Sequence, residues 1–164
     1  MINKIPIHQR VRFKDCDPMG HLYNSRYIDY LLEAREQQLY EQYQFDLFDY
    51  LQNHQKAWVI IKHEILYLKE ALVNEHINLD SDLLEFDSRK LTVEYKMWDS
   101  SCTRLKAIMW TQFFHIDLTI KKSVDHDSNL MLLLHQMHHP IEEKNLQERV
   151  LRLSGSPNKI KEEE

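Results

Sequence analysis

A long stretch of this chain lacks both residue types that most often make turns. Proline is absent between Pro18 and Pro140, and glycine is absent between Gly20 and Gly155. Turns in this interval must therefore use Asn, Asp and Ser, whose side chains bond the nearby backbone. Clusters of these residues predict turns at 52–54, 80–82, 87–88 and 99–101.

Between these turns the chain alternates in polarity, as β-strands do. In the first segment Ile5, Ile7, Val11 and Phe13 share one face, while basic and polar residues occupy the other. Further strand-like runs are predicted at 58–68, 73–79, 91–97 and 105–116.

One long helix is predicted between the first strand and the other four, from about Ser25 to Tyr43. Its apolar residues recur at helical spacing over a wide arc, which indicates burial on more than one face: Tyr27, Ile28, Tyr30, Leu31, Leu32, Ala34 and Leu39. Asn24 or Ser25 is predicted to cap its start. Two shorter helices are predicted at 129–136 and 141–153.

This order of elements predicts an α+β fold in which one antiparallel sheet wraps the long helix. A length of 164 residues suits a single domain. We predict that the domain spans residues 1–153, with C-terminal helices at about 123–153. The Gly-, Pro- and charge-rich tail at 154–164 is expected to be disordered.

Composition narrows the possible functions. A net charge of −5 argues against general nucleic-acid binding, which requires a basic face. The first residues lack the apolar run of a signal peptide, and no stretch has the length of a membrane span. Cys16 and Cys102 form no disulfide framework. We therefore predict a soluble cytoplasmic protein without a membrane span.

One loop combines groups that suit acyl transfer: Asp15-Cys-Asp17-Pro-Met-Gly20-His21-Leu-Tyr-Asn24. Pro18 ends the strand, and Gly20 allows a turn through positive φ. The following helix start has free N–H groups and a positive dipole, which favour a developing oxyanion. A nearby carboxylate could act as base or nucleophile. On chemistry alone, a purely structural turn explains the same residues at least as well.

The segment VRFKDCDPMGHLYNSRYIDYLLEAR resembles the active-site segment of hotdog-fold acyl-CoA thioesterases of the 4-hydroxybenzoyl-CoA thioesterase class. The shared pattern is a strand ending in an aromatic residue, then D-x-D-x-x-G-H, an Asn pair, an aromatic residue and a long helix. The close match covers about residues 10–35, and the strand order extends weaker support to about residue 118. The resemblance implies that a sheet wraps a central helix, in agreement with the order of elements.

The resemblance also implies site residues. Asp17 matches the catalytic aspartate, which acts as a nucleophile or as a general base. Asn24 matches the residue near the helix start whose backbone N–H polarises the thioester carbonyl. Substrate contacts are expected from four further positions, one of which, Tyr23, departs from the family's Asn: Gly20, His21, Tyr23 and Tyr27.

The implied substrate is an acyl-CoA or an acyl-ACP, the implied assembly a homodimer or homotetramer, and neither a metal nor a cofactor is needed. Two alternatives stay open. The chain could bind acyl-CoA without catalysis. It could instead dehydrate hydroxyacyl thioesters, although the Phe-Pro-Gly and N-P-x-H strings of such enzymes are absent.

Other polar residues are assigned structural roles. Asp15 is expected to bond the turn backbone, and the resemblance makes Cys16 a packing residue. Glu33 and Arg35 are expected to form an ion pair or a buried hydrogen bond. The histidines near the end of the chain have no carboxylate or Cys at ligand spacing, so no metal site is predicted: His135, His138 and His139.

Overall fold

A computed structural model of the chain describes residues 5–155. Its strands are β1 (Ile7–Arg10), β2 (Lys56–Tyr67), β3 (His76–Phe86), β4 (Lys90–Asp99), β5 (Leu105–Asp117) and β6 (Lys122–Ser123). Its helices are α1 (Asn24–Tyr43), α2 (Leu47–His54), α3 (Ser128–Met137) and α4 (Leu146–Leu153).

The strands form one antiparallel sheet in the order β1-β3-β4-β5-β2, and β6 pairs with β5. The long helix α1 packs against β3, β4 and β1, with its apolar residues in the main core. The predicted α+β fold of the hotdog type is thus confirmed. Within residues 5–155 every helix is too short or too polar to span a lipid bilayer.

The turn predicted at 80–82 is wrong, because β3 runs through it without a break. Ser81 points to α1, where its hydroxyl donates to Gln38 Oε1 at 2.5 Å. Asp80 and Asp82 both lie near Lys96 on β4, with N–O distances of 2.9 and 3.1 Å. The contacts to β4 and α1 stabilise these three residues in a strand. They outweigh the preference of Asp and Ser for turns.

The turn predicted at 52–54 is also wrong, because these residues end helix α2. Asp46 caps that helix, and its carboxylate accepts hydrogen bonds from the amides of Phe48 and Asp49. The turns at 87–88 and 99–101 do connect strands, as predicted. The strand predicted from Val73 begins only at His76, and neither helix α2 nor the short strand β6 is predicted from the sequence.

Helix α4 covers the face of the sheet opposite α1. Leu146 is fully buried against Leu105 and Ile108. Arg149 donates to the buried carboxylate of Glu94 on β4, with Nε–Oε2 at 2.9 Å.

This helix is shorter than the predicted span 141–153. Asn145 caps α4 by accepting a hydrogen bond from the amide of Glu148, so the helix begins only at Leu146. Its last residue, Leu153, agrees with the prediction. Apart from Ser154 and Gly155, the tail that is predicted to be disordered lies outside the described residues.

Candidate active site

The chain leaves β1 through a short 3-10 turn that is tied to α1. The buried carboxylate of Asp15 accepts a hydrogen bond from the Tyr30 hydroxyl at 2.8 Å, and that hydroxyl accepts one from the amide of Arg12 at 3.0 Å. Burial raises the pKa of Tyr30 to about 12, so the phenol stays a neutral donor. The side chain of Asp15 therefore binds α1. The prediction that this carboxylate bonds the turn backbone is wrong.

Asp17 sits in a tight turn closed by Gly20. The amide of Gly20 donates to the Asp17 carbonyl at 2.9 Å, and Gly20 has a φ of +79°, which only glycine adopts readily. The Asp17 Oδ1 atom accepts hydrogen bonds from the amides of Met19 and His21, at 2.9 and 3.0 Å. Two backbone donors thus orient the carboxylate and leave its second oxygen without a hydrogen bond in the described structure.

Helix α1 begins next to this turn without a side-chain cap. The N-cap residue is Tyr23, which offers no side-chain hydrogen bond to the first turn. The predicted cap at Asn24 or Ser25 is therefore wrong. The Tyr23 amide donates to the Asp15 carbonyl, and the Tyr23 carbonyl accepts from the Arg26 amide, so the first turn already closes at Tyr23. The Arg26 amide is thus satisfied, whereas the amides of Asn24 and Ser25 have no acceptor among the described residues. Unsatisfied amides at a helix start are suited to binding an anion.

A cleft of about 540 Å³ lies at this helix start. The structure brings five of the six predicted site residues to its wall: Asp17, His21, Tyr23, Asn24 and Tyr27. Gly20, the sixth, shapes the turn instead of lining the cleft. Asp17 and His21 are half-buried, whereas Tyr23 and Asn24 are exposed at the mouth.

The opposite wall comes from the end of β2 and the residues after it: Tyr67, Leu68, Lys69 and Glu70. The Tyr67 hydroxyl donates to the Asn24 carbonyl at 2.9 Å and so joins this wall to the start of α1. Buried Lys106 on β5 donates to the Glu70 carbonyl at 2.8 Å and pairs with Glu75 at 2.6 Å. The wall is therefore held by the sheet and not by its own local structure.

Tyr27 of α1 contacts both walls at the floor of the cleft. It is buried, its ring packs edge-to-face on Tyr67 with centroids 5.1 Å apart, and its hydroxyl accepts a hydrogen bond from the Ala71 amide at 2.9 Å. Burial raises the pKa of Tyr27, which therefore stays neutral. The position suits a residue that shapes the cleft floor.

Cys16 has little nucleophilic character. Its thiol donates to the Arg12 carbonyl at 3.4 Å, and burial together with the carboxylates of Asp15 and Asp17 raises its pKa. The thiolate is the reactive form of cysteine, so this environment disfavours attack by Cys16.

Sequence reasoning missed the second wall. Residues 67–70 contain no motif, and they approach the loop only because of tertiary contacts such as the isolated bridge between His21 and Leu72. The exposed Tyr67 at the end of β2 is a weak signal, since an aromatic residue at a strand end is common on any sheet.

Known proteins resemble this chain in sequence. The family model of the thioesterase-like superfamily matches residues 11–134. The long-chain acyl-CoA thioesterase FadM of Escherichia coli strain K12 is 25% identical over 128 residues, which cover 78% of this chain and 95% of FadM.

Solved structures share the fold. Slr0204, a 1,4-dihydroxy-2-naphthoyl-CoA thioesterase from Synechocystis, superposes with a TM-score of 0.72 at 16% identity, covering 82% of this chain and 98% of that one. SAV2348 from Staphylococcus aureus, solved in complex with CoA, superposes with a TM-score of 0.73 at 12% identity, covering 87% and 90%.

Proposed function

This chain belongs to the thioesterase-like superfamily, and from that premise we propose that it hydrolyses acyl-CoA thioesters to a free acid and CoA. The observation that carries the proposal is the cleft in which the oriented carboxylate of Asp17 and the uncapped start of α1 lie together. FadM is named as a thioesterase of long-chain acyl-CoA, and SAV2348 was solved with CoA, so a CoA thioester is the substrate class that we propose.

In the proposed reaction Asp17 takes a proton from a water molecule as that water attacks the thioester carbonyl. In this proposal the N–H groups of Asn24 and Ser25 stabilise the oxyanion, because backbone donors that the fold holds in place need no reorganisation when charge develops. When the oxyanion collapses, the C–S bond breaks and the proton passes from Asp17 to the CoA sulfur. The products are the free acid and the thiol, and the carboxylate is restored.

Asp17 could also attack the carbonyl itself and form an anhydride, which water then hydrolyses. Repeated turnover in ¹⁸O-labelled water can identify the nucleophilic route. Label in the peptide that contains Asp17 shows that an anhydride forms and that water opens it at the Asp17 carboxyl carbon. A general base leaves that peptide unlabelled, with the label in the acid product.

The remaining cleft residues have proposed roles in binding. His21 contacts the thioester or the pantetheine arm, and Tyr23 limits the space for the acyl group where relatives carry Asn. Lys69, at the exposed rim, is suited to an anionic part of the carrier.

We further propose that a second copy of this chain pairs along β2. This strand ends the sheet, and no described strand covers its outer edge. It exposes Val59, Ile60 and Ile61, and its far end carries Tyr67 of the cleft wall. Light scattering should give a dimer or a larger even assembly. An Ile60→Lys, Ile61→Lys variant should form a smaller assembly than the parent protein. A monomeric parent protein would contradict the proposed pairing along β2.

The experiment that tests the activity is a thiol-release assay on short, long, branched and aromatic acyl-CoAs, run beside the matching acyl-ACPs. We expect hydrolysis of at least one acyl-CoA. Tight binding of acyl-CoA without thiol release would instead identify a non-catalytic binding protein and contradict the proposal.

A further inference from the structure

A second cavity lies away from the cleft, between α1, α2, α3 and the inner face of the sheet. Its volume is about 590 Å³, within the range of sites that hold small organic ligands. Most of its wall is apolar, including Leu32, Leu39, Phe45, Trp58 and Leu134. An apolar wall alone would suit many ligands, so the polar groups inside the cavity decide the chemistry.

The guanidinium of Arg35 is one such group. Arg35 is only 8% exposed and lines the cavity. Its hydrogen bonds reach two weak, neutral acceptors, Ser81 Oγ at 3.3 Å and Met137 Sδ at 3.6 Å. Glu33 is exposed, and neither an ion pair nor a hydrogen bond joins it to Arg35 in the described structure, so the predicted pairing of these two residues is wrong. Arg35 makes its buried hydrogen bond to Ser81 instead. Within residues 5–155 no carboxylate lies within ion-pair distance of this guanidinium.

Such a group is unusual in a protein interior. Arginine remains protonated under all ordinary conditions, and a buried charge is normally paired. Burial lowers the pKa of Arg35, and the charges of Tyr95, Tyr43 and Asp82 oppose this shift only in part. Tyr95 also lines the cavity. The Tyr95 hydroxyl makes no hydrogen bond to any described residue. The cavity therefore contains a guanidinium and a hydroxyl that can each make further hydrogen bonds.

We propose that this cavity binds an amphipathic carboxylate, with the carboxylate on Arg35 and Tyr95 and the apolar body against the walls from α2 and α3. Guanidinium and carboxylate match in a two-bond geometry, which is the strongest common side-chain recognition of this anion. Asp29, Glu33 and Glu36 also line the cavity on its solvent side. These acidic groups make the mouth unfavourable for an anion, so the bound carboxylate is more stable beside Arg35 than at the mouth.

The site is separate from the cleft. Arg35 follows Asn24 by eleven residues of α1, which at 1.5 Å per residue places it about 16 Å along the helix. Two sources of the ligand share this chemistry: a free acid, or an acyl chain that carries a second carboxylate at its far end. The binding itself does not depend on the proposed hydrolysis.

Calorimetric titration with decanoate and with decanol, which has the same chain but no charge, tests the site directly. The parent protein should bind decanoate roughly tenfold to hundredfold more tightly than decanol, as expected for charge-assisted hydrogen bonds. Arg35→Met should remove this preference and leave decanol binding nearly unchanged. Asp17→Asn, which alters only the cleft, should keep it.

Thermal unfolding provides a second readout. A buried charge without a carboxylate at ion-pair distance carries a desolvation cost, and an apolar side chain of similar length removes that cost. The ligand-free Arg35→Met variant should therefore have a Tm equal to or above that of the parent protein. Decanoate should raise the Tm of the parent but not that of Arg35→Met. Leu133→Trp, which fills the cavity and keeps Arg35, should abolish binding without affecting the charge.

Three results would overturn the proposal: equal affinity for decanoate and decanol in the parent, unchanged decanoate binding in Arg35→Met, or a clearly lower Tm of that variant without ligand. Hydrolysis assays then separate the two sources. If the far carboxylate of an acyl chain is the ligand, Arg35→Met should raise the KM for decanedioyl-CoA about tenfold and leave decanoyl-CoA unchanged. If a free acid is the ligand, both KM values should stay the same.

Discussion

Asp17 and His21 are joined across the turn by two hydrogen bonds, one donated by each residue. The Asp17 amide donates to the His21 carbonyl at 2.8 Å, and the His21 amide donates to Asp17 Oδ1 at 3.0 Å. The backbone thus fixes the carboxylate at the wall of the cleft, and one oxygen keeps its capacity for a substrate or water. Because these bonds use only backbone groups and the carboxylate itself, the geometry of the turn decides where the carboxylate points.

Gly20→Ala should disturb this geometry. A Cβ at φ +79° is strained, and it would also lie 3.4 Å from Val73 Cγ1. We expect a loss of about 1–2 kcal/mol in the free energy of unfolding, together with a lower kcat as the turn around Asp17 shifts. Chemical denaturation and a thiol-release assay measure the two effects.

Gly155→Ala is the matched control for this change. Gly155 has a φ of +62° but lies after α4, and an added Cβ meets no atom within 4 Å. The loss of stability should be similar or smaller, because the chain after α4 can relax, and kcat should be unchanged. Equal losses of kcat in the two variants would show that activity follows global stability and not the turn.

Tyr67→Phe should show how much activity depends on the hydrogen bond that positions the start of α1, apart from the packing of the Tyr67 ring in the cleft. It removes the hydrogen bond to the Asn24 carbonyl and keeps the ring that packs on Tyr27. A hydrogen bond of this kind contributes about 0.5–1.5 kcal/mol, so kcat/KM should fall about twofold to tenfold. Tyr40→Phe makes the same chemical change on an exposed residue of α1 and should have no effect. A larger loss in Tyr40→Phe would contradict the assignment.

Two stacked histidines should make stability depend on pH. His115 and His126 are buried with ring centroids 4.8 Å apart. His126 Nε2 accepts a hydrogen bond from Trp58 Nε1 at 3.0 Å, while its Nδ1 faces the Asp87 carbonyl. A ring held in this neutral form has no room for a second proton, because that proton would meet the indole N–H.

Burial lowers the pKa of both histidines below the ordinary value of 6.5. The unfolded chain therefore binds more protons than the folded one below about pH 6.5, and the free energy of unfolding should fall with decreasing pH, by at most about 1.4 kcal/mol per pH unit for each histidine. Denaturation between about pH 7.5 and 5.5 measures this slope. His126→Gln, which does not titrate, should flatten it, and an unchanged slope in that variant would rule out His126 as its source.

Elements whose pattern is local could be predicted from the sequence. The apolar arc of α1 and the loop from Asp17 to Asn24 are contiguous in the chain, so both could be identified without long-range information. Strand β3 is predicted too short because Asp80, Ser81 and Asp82 favour a turn locally, whereas their partners on β4 and α1 keep them in the strand. Such contacts between distant residues carry no local signal.

The same reason explains what the sequence could not predict about the site. The wall that begins at Tyr67 reaches the loop only when β2 takes its place beside β5, and the surroundings of the Arg35 guanidinium depend on α3, which is about a hundred residues away in the chain. A spacing of two residues between Glu33 and Arg35 places them on different sides of α1, so the expected pair could not form.

The most direct test of this account is the kcat of Asp17→Asn on the best acyl-CoA substrate, with Asp15→Asn as the control. An Asn oxygen can still accept from the amides of Met19 and His21, so the fold should be kept while the base is lost. We predict a fall in kcat of roughly 10²–10⁴-fold for Asp17→Asn and a much smaller change for Asp15→Asn, measured on proteins with similar Tm. An Asp17→Asn variant that releases thiol as fast as the parent would contradict the account.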